Sequence, residues 1–177
     1  MAIRLLKQDH QEVSQLHERF ENASGAQKKQ IAQRICQALT VHAQIEEELL
    51  YPAARRELEE DDQELVAEAT VEHASVKDLI GQIEGAAGSD ELYDAKVKVL
   101  GEYVKHHVKE EESELFPKLQ KTQLDLDALG EQLAARKAQL AREIGMEEPA
   151  DDESDLASNL NPSRSGGNRG SRPSASR

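Results

Sequence analysis

Four histidines and two glutamates recur in this chain in one order and at nearly one spacing. His42 is followed by Glu46 and then by Tyr51-Pro52. His107 is followed by Glu111 and then by Phe116-Pro117, so both stretches read His-x3-Glu-x4-aromatic-Pro. Each is preceded by a lone acid-His-x-x-Val: Asp9-His10 with Val13 lies 32 residues before His42, and Glu72-His73 with Val76 lies 34 before His107. A His and a Glu four apart share a helical face one turn apart, so each pair can present an imidazole nitrogen and a carboxylate oxygen to one cation or to two adjacent ones. Two such pairs and two single histidines make an N4O2 donor set without thiolate. That set suits iron, manganese or zinc, and two glutamates able to bridge fit a dinuclear centre.

One His-x3-Glu in a Glu-rich chain reads as a surface ion pair. The double pattern does not. The chain has only five aromatic residues and five prolines, yet an aromatic-Pro pair stands at the same offset in both copies. Descent from a duplicated half would explain a repeat, but not the retention of the histidines in halves that have otherwise diverged.

The elements that must position these residues are helices. Leu5, Leu6, Val13, Leu16 and Phe20 recur near helical spacing and predict a first helix over about residues 2–22, ended by Asn22-Ala-Ser-Gly25. A second is expected over about 26–59 with a kink at Pro52, and a third over about 62–85 capped by Asp61-Asp62. A turn over 85–88 leads to a fourth over about 90–121, capped by Ser89 or Asp90 and kinked at Pro117. A weaker fifth, about 123–144, carries Leu124, Leu126, Leu129, Leu133 and Leu140 and stops at Gly145 and Pro149. At about 1.5 Å per residue, the runs from the candidate ligands to each turn match within about 8 Å. The fold class is therefore all-α: an antiparallel up-down-up-down four-helix bundle with a short extra C-terminal helix, bringing all six groups to one interior layer.

The 177 residues suffice for one domain with a real core. Residues 1–145 are read as the domain and 146–177 as a disordered, solubilising tail, since a Ser/Gly/Arg/Pro composition cannot bury enough apolar surface to order itself. Net charge is −13, but residues 161–177 hold four arginines and no acid, which leaves 18 basic against 35 acidic residues, or −17, for residues 1–160. A body that acidic excludes unaided nucleic-acid binding. No run approaches the roughly 20 apolar residues of a membrane helix. The start of the chain does not read as a signal peptide, and Cys36 is alone, so no internal disulfide forms and a cytoplasmic protein is expected.

His10, His42-x3-Glu46 with Tyr51-Pro52, Glu72-His73, and His107-x3-Glu111 with Phe116-Pro117 together resemble the hemerythrin-like HHE cation-binding family over roughly residues 1–120. The resemblance implies a hemerythrin-like bundle with a non-haem di-iron centre, about two irons per chain with zinc or manganese as alternatives. Its ligands would be His10, His42, Glu46, His73, His107 and Glu111. Oxygen-carrying members have a further histidine one turn after the third-helix ligand, where this chain has Lys77. One metal would then lack a neutral ligand, to be completed by water, hydroxide or another residue. That shifts the expectation from oxygen carriage toward reaction with O2, peroxide or NO.

The alternative is an iron or oxygen sensor, or a metal-storage module without turnover. Between an enzyme and a binding module the sequence leaves the choice open. It favours a monomer or weak homo-oligomer with no nucleic-acid or membrane partner. A ferritin-like oxidase is disfavoured because no histidine has a Glu three residues before it. His106 reads as a flanking residue, His17 as polar core or surface, and Tyr51 and Phe116 as core wall. Glu47, Glu48, Glu110 and Glu112 read as solvated groups or acceptors for ligand imidazoles.

Overall fold

A computed structural model of the chain describes residues 1–86 and 90–146, which form one compact unit of five helices; no strand occurs among the described residues. Helix α1 (Ala2–Asn22) is followed by a two-residue turn and Gly25, whose positive φ of 56° makes the reversal that a Cβ would resist. Helix α2 (Gly25–Ile45) continues through a π-helical turn (Glu46–Leu50) into Tyr51–Glu57. Helix α3 spans Gln63–Glu84, and α4 (Tyr93–Glu110) continues through a second π-helical turn (Glu111–Leu115) into Phe116–Leu119. Helix α5 (Leu126–Glu143) closes the unit, with Asp125 accepting from the backbone N–H groups of Asp127 and Ala128 at its start. Gly145, at φ 64°, ends it. Pro149, Ser89 and the tail lie outside the described residues.

Two expected caps differ. Asp62 stands at the N-cap position of α3 but makes no side-chain cap bond: with Asp61 it belongs to a 3-10 turn (Glu60–Asp62), and it accepts from Lys118 Nζ instead (2.8 Å). Asp90 precedes α4 by a turn of its own, accepting from Leu92 N (2.9 Å) while its carbonyl takes Tyr93 N–H (3.1 Å), so the helix starts later than expected. Pro52 and Pro117 each stand just past a π-turn. Each sits in the first turn of the helical segment that follows a π-turn, where its missing N–H leaves no bond unmade.

The core is two apolar clusters with the candidate ligands between them. At the α1–α2 and α3–α4 turn end lie Val13, Leu16, Phe20, Ile35, Leu39, Val76 and Leu100. At the opposite end lie Leu6, Ile45, Leu50, Ala69, Leu115 and Phe116. On every helix the ligand falls between the two: His10 between Leu6 and Val13, His42 between Leu39 and Ile45, His73 between Ala69 and Val76, His107 between Val104 and Leu115. One polar layer thus crosses the bundle with apolar packing above and below.

Helix α5 lies against α1 and α2 and adds Leu129, Leu133 and Leu140 to the second cluster alone. Its Gly130 lets the two backbones approach, since a Cβ there would stand 2.6 Å from Ala2 N. If α5 is part of the core, emptying the fully buried Leu133 destabilises the whole bundle. Leu133→Ala should cost about 2–5 kcal/mol in urea unfolding followed by circular dichroism. An unchanged main transition would show α5 to be a separable appendage.

Candidate metal centre

Helix α1 supplies His10, α2 His42 and Glu46, α3 His73, and α4 His107 and Glu111; all six are buried. The structure brings them together in two overlapping groups. Ligand atoms of His10, His42, Glu46 and Glu111 lie within 4.8 Å of one another, as do those of Glu46, His73 and His107. Glu46 belongs to both: its Oε1 faces His42 Nε2 (3.3 Å) and its Oε2 faces His73 Nε2 (3.4 Å). Glu111 also spans the halves, with Oε2 at 3.4 Å from His10 Nε2 and 3.6 Å from His107 Nε2.

The donor set fits cations. Ring nitrogens held about 2.1 Å from one metal at tetrahedral or octahedral angles stand about 3.0–3.4 Å apart. His10 and His42 Nε2 are separated by 3.2 Å, and His73 and His107 Nε2 by 3.1 Å. Glu46 Oε1 and Glu111 Oε2 are buried with no hydrogen bond. Orphaned carboxylate oxygens beside converging imidazole nitrogens are costly in a dry interior, and a positive charge between them removes that cost.

A carboxylate stands on the far side of every ring. His10 Nδ1 meets Glu112 (2.9 Å), His42 Nδ1 meets Asp9 (3.3 Å), His73 Nδ1 meets Glu47 (3.0 Å) and His107 Nδ1 meets Glu72 (2.8 Å). Each Nδ1–H donates outward, which leaves the Nε2 lone pair for the centre and makes it a better donor. Glu47 and Glu112 were expected in this role; Asp9 and Glu72 were not given one. The sequence signal was the acid directly before each lone histidine. Each acid serves the histidine of a neighbouring helix rather than its own.

Tyr51 is the residue that sequence reasoning misplaced. Its hydroxyl donates to Glu111 Oε1 (3.1 Å) and lies 3.2 Å from His73 Nε2 and 3.5 Å from Glu46 Oε2. The π-turn explains the difference. At about 100° per residue a regular helix would turn Tyr51 some 140° away from Glu46; the widened turn absorbs one residue and leaves about 40°. Its counterpart Phe116 is indeed core wall, stacked near-parallel on His10 with ring centroids 6.0 Å apart. Lys77 runs outward to Glu47 (2.5 Å) rather than into the site.

His106 is exposed, against Glu72 (3.5 Å) and Glu110 (3.2 Å), as a flanking residue. His17 packs over Gly101 with its Nε2 buried and unpartnered, away from the ligand groups. Glu48 pairs with Arg136 (2.6 Å). Burial pushes the Cys36 thiol up to about 12 and keeps it inert.

Against the four ligand imidazoles lies a closed cavity of about 20 Å³, walled otherwise mainly by Val13, Leu39, Val76, Val104 and Val108. A groove of about 600 Å³ between α1 and α4 shares His10, Val13, Val104 and Val108 with it, so these residues form the partition between the cavity and the surface. The cavity has room for a species of one or two heavy atoms.

Without metal the site holds protons. Burial alone would lower the His10 pKa, but Glu111, Glu46 and Glu112 outweigh it and raise it to about 9. Burial and then the Glu111 charge push Glu46 up. Burial keeps His73 below its ordinary value and Tyr51 well above, so the phenol stays protonated until a cation reverses that balance. A raised His10 pKa means the protonated ring is the neutral-pH form, and a metal must displace that proton. Metal affinity should therefore rise with pH up to about 9. Calorimetric titration in buffers of different ionisation heat should show proton release at pH 7; zero release would contradict His10 as a ligand.

The hemerythrin HHE cation-binding domain model matches residues 1–119. A Nostoc sp. protein described as a DNA nickase is 33% identical over 113 residues, 63% of this chain, and the match spans only 31% of that protein. The crystal structure of a hemerythrin HHE cation-binding domain-containing protein from Mycobacterium kansasii, an Rv2633c homolog, superimposes with a TM-score of 0.68 at 25% identity, covering 80% of this chain and 88% of that one. Its model matches across more than half of the chain, over the segment that carries all six ligand candidates, and the chain belongs to the hemerythrin HHE cation-binding domain family.

Proposed function

We propose that this chain is a non-haem di-iron protein that reacts with a small oxidant, peroxide, O2 or NO. The observation that carries the reading is Glu46, shared between two histidine groups with its Oε1 orphaned. A shared carboxylate supports two adjacent metals rather than one. An imidazole and carboxylate set without thiolate suits iron, and iron supplies the redox change that an oxidant requires.

The chain's own residues then have separate tasks. Glu46 and Glu111 hold both halves together. The four outward carboxylates fix the imidazoles, and the six apolar side chains around the cavity, Ala43 among them, keep bulk water out and limit the ligand to a small molecule. Tyr51 sits where a fifth donor to the His73–His107 half would stand, and its hydroxyl proton rests on Glu111. It is the group best placed to complete that half in place of the histidine that Lys77 replaces.

A sensor or storage module without turnover is the second reading. It is favoured by the contact of the peripheral helix α5 with the site through Lys137 and Asp9. Nicking of DNA is not carried over from the Nostoc relative. The match covers under a third of that protein, and 35 acidic against 22 basic residues repel phosphates. No helix among the described residues is long and apolar enough to cross a membrane.

Protein expressed with iron should carry about two irons per chain and absorb in the near ultraviolet; metal-free protein would sink the proposal. Peroxide turnover by the iron-loaded protein argues for the enzyme, and tight NO binding without turnover for the sensor. Tyr51→Phe should keep most of the iron but change its visible absorption, measured against wild type at equal iron. An identical spectrum would return Tyr51 to the core wall.

A further inference from the structure

Each carboxylate that orients a ligand histidine is itself met by a second nitrogen-bearing side chain. Glu112 meets Lys7 (3.2 Å), Glu47 meets Lys77 (2.5 Å), Glu72 meets His106 (3.5 Å), and Asp9 meets Lys137. Three of these pairs are built from the four helices of the bundle. The fourth is not: Lys137 stands on α5, beyond the segment that the family model covers.

Solvent exposure separates the four. The side chains of Glu112, Glu47 and Glu72 are 32%, 30% and 25% exposed, so water can replace a lost partner there. Exposed pairs of this kind contribute little, because water screens them. Asp9 is only 8% exposed. Its Oδ1 takes Lys137 Nζ and its Oδ2 takes His42 Nδ1 (3.3 Å). Among the described residues these two groups are its side-chain partners, and removing one partner of a buried charge pair is far more disruptive than removing an exposed one.

We propose that Lys137 is a positioning residue of the metal centre: it neutralises and orients the buried Asp9 carboxylate on His42, so that metal retention in the His10–His42 half depends on α5 being docked. Helix α5 is held for this task at several points. Met1 N meets Asp127 (2.5 Å), Gly130 lies against Ala2, Arg136 meets Glu48 (2.6 Å), and Leu133 is fully buried. A partner that displaced α5 from α1 would loosen one metal and leave the other.

The inference rests on the two-metal reading, and its test separates the two. Metal release to a competing chelator is compared in wild type, Lys137→Met, Lys77→Met and Arg136→Met, with folding checked by circular dichroism. Lys137→Met should lose one metal about 10–100-fold faster and keep the other, whereas Lys77→Met and Arg136→Met should release both at nearly the wild-type rate. Lys137→Arg should restore retention. Loss of both metals together from Lys137→Met would mean that the whole bundle has loosened, and that outcome or unchanged release from Lys137→Met would overturn the proposal. Should Lys137→Met fail to fold, Asp9→Asn carries the same expectation.

In metal-free protein, ring 15N spectra should show a change of tautomer or hydrogen bonding at His42 but not at His107 when Lys137 is replaced. That comparison judges the Lys137–Asp9–His42 link even if the protein binds no metal, an outcome that would defeat the di-iron reading alone. An unchanged His42 would defeat the link.

Discussion

Two carboxylates, Glu46 and Glu111, lie side by side in the middle of the bundle, out of reach of water and each with an oxygen that no hydrogen bond serves. That constraint organises the rest of the structure. Isolated buried carboxylates cost several kcal/mol each, and a helical bundle of this size has little net stability to offset it. The surrounding histidines meet the demand only in part: His10 takes up a proton at neutral pH, but a ring that is to bind a cation must turn a lone pair inward. The outward carboxylates enforce that by taking the Nδ1 protons. A layer of this kind is stable when something positive occupies its centre, and the apolar clusters above and below keep the surrounding medium one of low polarity, where that charge counts most.

The π-turns belong to the same problem. A glutamate one turn after a histidine needs only a regular helix. A phenol five residues further on reaches the same centre only if the helix loses a residue of phase, and the π-turn between Glu46 and Tyr51 does this. Proline just beyond lacks the N–H that a regular continuation would use, so it favours the wider turn instead of opposing it. The same device on α4 turns Phe116 onto His10. One backbone irregularity thus delivers a hydroxyl to one half and an aromatic wall to the other.

The helices and the shared depth of the six ligand candidates were legible because both follow from a period of about 3.6 residues and from counting to the turns. Tyr51 was not legible for the same reason: a reading that assumes the regular period places it on the wrong face. Asp61 and Asp62 looked like caps because acidic residues before a helix usually are, but Lys118 on another helix offered Asp62 a stronger partner. The pairing of Asp9 with His42, and of Glu72 with His107, crosses between helices. Spacing within one helix carries no information about that, although the recurrence of an acid before each lone histidine marked the right residues.

The two halves are near copies, which makes their differences informative. His10, His42, Asp9 and Glu112 correspond to His73, His107, Glu72 and Glu47, contact for contact. Symmetry fails at two places. A hydroxyl reaches the His73–His107 half where the other has a phenyl ring. The acid behind His42 is buried and answered by a fifth helix, where the acid behind His107 is partly open to water. The repeated pattern builds two groups of candidate donors, and each break acts on only one of them. The hydroxyl adds an oxygen donor to the second half, while the buried Lys137–Asp9 pair stiffens the first. On the proposed two-metal reading, cations in the two halves would differ in donor set and in ease of loss, because the hydroxyl and the buried acid each act on one half alone.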